Sequence, residues 1–130
     1  MDKTTVLKAF NTLFFTFLDD VISIFPENEQ LTVAKTSFET IKKMNVTAMI
    51  KAWNHFVFLP YQAQIEASDI SFFIDKDYGN DITHLSNSDD IMQTIDKFRD
   101  PIRQMSEENK SHSMNYMKKL SQLSQMYSKF

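Results

Sequence analysis

The stretch FFIDKDYGND, residues 72–81, holds the chain's single glycine and places Asp75, Asp77 and Asp81 around it. Carboxylates at alternate positions beside a glycine are the ingredients of a calcium loop, where oxygen ligands surround the ion and the glycine makes the sharp turn. Counted from Asp75, the third and seventh positions are Asp77 and Asp81. The fifth is Gly79, the sixth (where glycine belongs) is Asn80, and the twelfth is Ser86 in place of a bidentate Glu. Two carboxylates are missing, so the stretch is read as a corner. Asp75 and Asp77 close a short helix, and Gly79 supplies the positive φ of the turn.

The other chemistry-bearing residue types are no better arranged. His55, His84 and His112 share no paired spacing and the chain has no cysteine, so no metal ligand set is assigned. One glycine cannot build a nucleophile elbow, a P-loop or a dinucleotide-binding turn. No catalytic residue and no cofactor are assigned, and the chain is read as a non-enzyme. Met105, Met114, Met117 and Met126 crowd the C-terminal quarter. Methionine adapts to irregular partners and can form a protein-binding face, although filling the core is the plainer role. Tyr116, Leu120, Leu123, Tyr127 and Phe130 follow a/d spacing, a seam that could also pair between chains.

The elements that must position these residues are helical. One glycine and three prolines among 130 residues are too few for the turns of an all-β fold. Leu7, Phe10, Phe14, Phe17, Val21 and Ile24 recur by threes and fours, with Phe15, Leu18, Ile22 and Phe25 widening the stripe. This predicts a central helix over Thr4–Phe25, buried on several sides and stopped by Pro26. Asn28 is expected to cap a second helix with Leu31, Ala34, Phe38 and Ile41 inside, and Lys42 and Lys43 suit its last turn. Asn45 is expected in the left-handed cap. Thr47 should cap a third helix carrying Ile50, Trp53 and Val57, which Pro60 ends or kinks. A short piece over Tyr61–Ala67 follows, then one capped by Ser68 with Ile70, Phe73 and Ile74 apolar.

Residues 75–90 read as the longest loop. Ser88 should cap the next helix, with Ile91, Ile95, Phe98, Ile102 and Met105 in register and Pro101 kinking it. SEENKSHS, residues 106–113, reads as a connection before the last helix. The fold expected is an all-α bundle of five or six helices in one domain, residues 1–130. Its core should include Phe10, Phe14, Phe17, Val21, Phe38, Ile41, Trp53 and Phe98.

The charge is −3 overall but uneven: acids dominate residues 66–100, and the last thirty residues are weakly basic. A weakly basic tail falls short of the dense basic face that nucleic acid requires. The apolar run over Leu13–Phe25 is interrupted by Asp19 and Asp20, so it is read as neither a signal peptide nor a membrane span. The chain is therefore expected not to be secreted.

Three stretches, AFNTLFFTFLDDVISIFPENEQLTVAKTSFETIKKMN (9–45), IKAWNHFVFLPYQAQIEASDISFFIDKDY (50–78) and MSEENKSHSMNYMKKLSQLSQMY (105–127), carry words such as KxWxxF, PY, DIxFFxxKDY and MxxLxxLS. Together they cover most of the chain, which resembles small proteins of large DNA viruses of algae and amoebae. It departs from the expected pattern at Val46, where proline would follow Asn45, and at Ser68, where glycine would precede Asp69. The resemblance implies a viral source and carries over no catalytic residue. The positions it marks as candidates for contact are Trp53, Tyr61, Phe72, Phe73, Lys76, Asp77 and Tyr78, to which the C-terminal seam adds Tyr116, Leu123 and Tyr127.

The function expected is that of a helical viral protein working through protein–protein contacts, as a virion component or an early host-directed factor. Its partner would be a second copy, giving a homodimer, or a viral or host protein, in the virion or the cytoplasm of the infected cell. The alternative is a nucleic-acid-associated regulator of viral replication or transcription; a metal-dependent enzyme using the acidic loop ranks below both.

Overall fold

The computed structural model describes residues 2–74 and 94–130. The chain is all-α, with no strand among the described residues. The acidic loop after Ile74, Ser88, Ile91, His84 and the candidates Lys76, Asp77 and Tyr78 lie outside them.

The central helix, α1 (Lys3–Ile24), begins where Asp2 accepts the Thr5 N–H at 2.8 Å. That bond also holds the exposed Asp2 carboxyl below its ordinary value. It ends at Phe25, one residue before the proline. Val6, Phe10, Phe14, Phe17, Leu18 and Val21 are buried along it, and the helices α2 (Glu29–Met44), α3 (Ala48–Ala52) and α7 (Glu107–Ser128) all pack against it. Helix α2 (Glu29–Met44) is capped by Asn28, whose side chain accepts the Gln30 N–H, and it buries Leu31, Ala34 and Phe38. It runs antiparallel to α1: Lys35 pairs with Asp19 at 2.6 Å, and Lys42 lies over the Phe15 ring. Ile41, expected in the core, is only half-buried.

The turn after α2 differs from expectation. Asn45 is extended (φ −153°, ψ 103°), not left-handed. Its side chain instead accepts both the N–H and the hydroxyl of Thr47, at 3.0 and 2.8 Å. That is an Asx turn. With its hydroxyl committed backwards, Thr47 makes no side-chain cap for α3 (Ala48–Ala52).

Helix α3 runs directly into a π-helical segment, Trp53–Phe58. The Leu59 N–H reaches past the usual acceptor to the Asn54 carbonyl at 3.0 Å. Pro60 gives the reason. In an α-helix its ring would crowd the carbonyl four residues back, and it has no N–H to offer; widening the last turn relieves that conflict. The consecutive residues Phe56, Val57 and Phe58 are all buried there.

Helix α4 (Gln62–Glu66) closes with bonds from the Asp69 N–H to the Gln64 carbonyl (2.8 Å) and from the Ser68 N–H to the Ile65 carbonyl (3.1 Å). These are the two bonds of a Schellman motif. Its left-handed residue is Ser68, at φ 58°, where glycine would sit without strain. Ser68 therefore ends α4 and does not begin α5 (Ser71–Ile74); Asp69 accepts the Ser71 N–H instead. Ser68→Gly should raise stability by about 0.5–1 kcal/mol, the left-handed penalty less glycine's entropy cost. A thermal melt should show Tm higher by roughly 2–5 °C.

Proline also breaks the next helix outright. Residues 94–96 are helical, the chain tightens to three-residue hydrogen bonds at Lys97 and Phe98, and α6 (Arg99–Arg103) starts afresh with Pro101 inside its first turn. There the missing N–H is tolerated. Arg99 and Arg103 donate to the Phe73 and Ile74 carbonyls, fixing α6 on the end of α5.

SEENKSHS is not a connection but the opening turns of α7 (Glu107–Ser128). Ser106 accepts the Asn109 N–H at 3.2 Å, and Glu107 and Glu108 stand in the first turn, where negative charge suits the exposed N–H groups. Helix α7 runs antiparallel to α1, as the contacts Phe17–Tyr116 and Lys3–Tyr127 show. One apolar cluster joins all the elements.

Candidate functional site

The sequence candidates separate into a buried group and a surface group. Trp53, Phe72 and Phe73 are core residues, 2, 6 and 2% exposed. The Trp53 Nε1–H donates to Ser121 Oγ at 3.0 Å inside the bundle. Tyr61 is half-buried and leans on the Phe72 ring, with centroids 5.6 Å apart. These aromatic residues hold α3, α4 and α5 to the core, so Trp53, Phe72 and Phe73 do not offer a partner the surface expected of them. The resemblance marked them by residue type, which does not separate a core aromatic from a contact aromatic.

The C-terminal seam is only partly as predicted. The buried face of α7 is Ser113, Met114, Met117, Leu120, Ser121 and Ser124, rotated from the Tyr116–Leu123–Tyr127 line. Serine explains the rotation. Ser121 and Ser124 are small enough for α7 to approach the π segment closely, and their hydroxyls are satisfied inside: Ser124 donates to the Ser121 carbonyl at 2.8 Å, and Ser121 receives Trp53. Ser113 faces Met105, its hydroxyl 3.4 Å from the sulfur. Of the four C-terminal methionines, Met105, Met114 and Met117 fill the core and Met126 is 40% exposed.

What remains outside is an edge of α7. Leu123 and Tyr127 are half-buried against the core, while Met126 and Phe130 are 40 and 59% exposed. Leu123, Met126 and Tyr127 stand three and four residues apart on the last turns of the helix, and Phe130 follows just past its C-cap, Lys129, so the four make one apolar stripe at that end. The Lys3 ammonium lies 5.0 Å from the Tyr127 ring centre, a cation over an aromatic face at the stripe's border. Sequence periodicity had marked Leu123, Tyr127 and Phe130. Met126, which completes the exposed edge, lies off that a/d line and was marked only among the C-terminal methionines.

Tyr116 sits apart from that edge, stacked on Phe17 with ring centroids 5.0 Å apart. Its hydroxyl donates to the Asp20 carboxylate. That bond, with some burial and the nearby negative charge, pushes the Tyr116 hydroxyl up from 10.0 to about 12. Because the folded value is raised, the stability this pair contributes is present below pH 10. It is lost as pH rises from there through about 12. An ultraviolet titration should show one tyrosine ionising near pH 12, and Asp20→Asn should return it toward 10. A wild-type Tyr116 that ionises near 10 would contradict the contact.

Among the described residues no cluster of three or more His, Asp or Glu could hold a metal ion. None of their helices is long and apolar enough to cross a membrane. Comparison with protein-family models, with curated proteins and with solved structures finds no match.

Proposed function

We propose that this chain is a non-enzymatic helical protein that acts through protein–protein contacts, and that the apolar edge of α7 is the contact surface. The source implied by the sequence resemblance, a large DNA virus, belongs to the same proposal, as does a role in the virion or early in infection. The observation that carries the reading is the stripe Leu123–Met126–Tyr127–Phe130. Its inner half is packed on the bundle and its outer half is uncovered.

An exposed apolar patch that continues the core is what a protein partner covers. The first partner to consider is a second copy, because one stripe can serve both chains across a two-fold axis. Light scattering on the wild type and on Met126→Lys/Phe130→Lys tests this: a dimer should become a monomer with its helix content intact. Mass spectrometry of purified virions separates a structural component from a factor made only after entry.

A further inference from the structure

Beside the groove between α1 and α2, the side chain of Asn11 carries a buried polar atom that the fold leaves unpaired. Asn11 is 3% exposed, and its Nδ2 donates to the Val46 carbonyl at 3.0 Å. That bond fixes which way the amide points, since only the nitrogen can donate. Asn11 Oδ1 is buried without a hydrogen-bond partner among the described residues. A buried acceptor left unpaired is costly and calls for an explanation.

Asn11 also lines a groove of about 520 Å³, within the size range of small-molecule sites. At one end Asp19 and Lys35 neutralise each other at 2.6 Å. In the middle the Phe15 ring supplies a flat apolar wall, with Lys42 above it at 5.5 Å. Lys43 lines the same groove, and among the described residues no ion pair or hydrogen bond engages it. With Glu39 included, three lysines face two carboxylates, so one positive charge is left over.

We infer that this groove binds a small planar monoanion: an aromatic carboxylate that places an N–H or O–H donor on Asn11 Oδ1, its ring against Phe15 and its carboxylate toward Lys42 and Lys43. The single surplus charge favours a carboxylate over a doubly charged phosphate. The site is separate from the α7 edge, so the two proposals stand or fall independently.

The test is a titration followed by amide NMR, with indole-3-acetate as the probe. Saturable shifts are expected at Asn11, Phe15, Lys42 and Lys43. The 1-methyl analogue lacks the N–H and should bind about tenfold more weakly, the effect of one hydrogen bond. Lys42→Gln/Lys43→Gln should weaken indole-3-acetate by a similar factor while the spectrum stays folded. Asn11→Leu should abolish binding; because it also cuts the tie to Val46, the methylated probe and the lysine variant carry the test without it. Three results would overturn the proposal: no saturation up to about 10 mM, the weak end of useful affinities; equal affinity for the methylated probe or for the lysine variant; or tighter binding of adenosine monophosphate, which would reassign the groove to phosphates.

Discussion

Phe14→Ala is expected to cost about 3–5 kcal/mol of folding stability, the range for emptying a buried Phe site. Phe14 is 3% exposed and touches four other rings. Phe38 meets it edge-on at 4.9 Å, Phe15 at 5.7 Å and Trp53 at 6.5 Å, while Phe10 stacks at 6.0 Å. Each such pair contributes roughly 0.5–1.5 kcal/mol beyond simple burial. The surrounding helices cannot close the gap, because α1 is held from three sides by α2, α3 and α7. In urea the midpoint should fall by roughly 2–3 M at an unchanged slope of about 1.5 kcal/mol per M. Phe14→Leu keeps most of the volume and should cost less than about half as much. A loss below about 1 kcal/mol for Phe14→Ala, the level of an ordinary surface change, would show that these rings are not packed as described.

The next largest effect is expected at Ser121. Ser121→Ala should destabilise by about 1–3 kcal/mol, the cost of a buried donor left without an acceptor. Ser121 is 1% exposed and Trp53 2%, so water cannot replace the hydroxyl. Alanine is the better helix former by a few tenths of a kcal/mol, which sets the loss against a small gain and makes its sign informative. Trp53 is the only tryptophan, so its fluorescence reports the change directly. Combining Ser121→Ala with Trp53→Phe should cost less than the two single changes added together, because the second removes the donor that the first strands. Additive losses, or a more stable single variant, would mean that the hydrogen bond contributes nothing.

The large elements were legible in the sequence because they rest on local rules. The three- and four-residue spacing of Phe10, Phe14, Phe17 and Val21 defined α1. Asn28 announced α2, and Pro26 ended the helix before it. The misses occurred where tertiary packing or a backbone conflict took over. SEENKSHS looked like a linker because helix α7 starts on the surface, where a polar helix and a polar loop have the same composition. Pro60 was expected to end or kink its helix, and the helix does end just before it; Pro101 was expected to kink one. Pro60 also widened the preceding turn, and Pro101 became part of a new first turn. Ser68 holds a left-handed position that no side-chain rule assigns to serine.

The proposed contact surface was half legible. A stripe on α7 follows from periodicity, but which edge is covered depends on Ser121 and Ser124 facing the π segment. Serine carries no apolar signal to indicate that. Asn11 was invisible for the same reason: a polar residue on an apolar helix face reads as an interruption until its partner, the Val46 carbonyl, is in place.

The claim that the α7 edge is a protein contact is tested most directly by sedimentation velocity over about 10–300 µM, since so small an interface should associate no tighter than micromolar. The wild type is expected to move from monomer to dimer across that range. Met126→Lys/Phe130→Lys should stay monomeric with an unchanged far-ultraviolet spectrum, since both side chains are exposed and the fold does not depend on them. A wild type that remains monomeric throughout, or a dimer that survives both lysines, would contradict it.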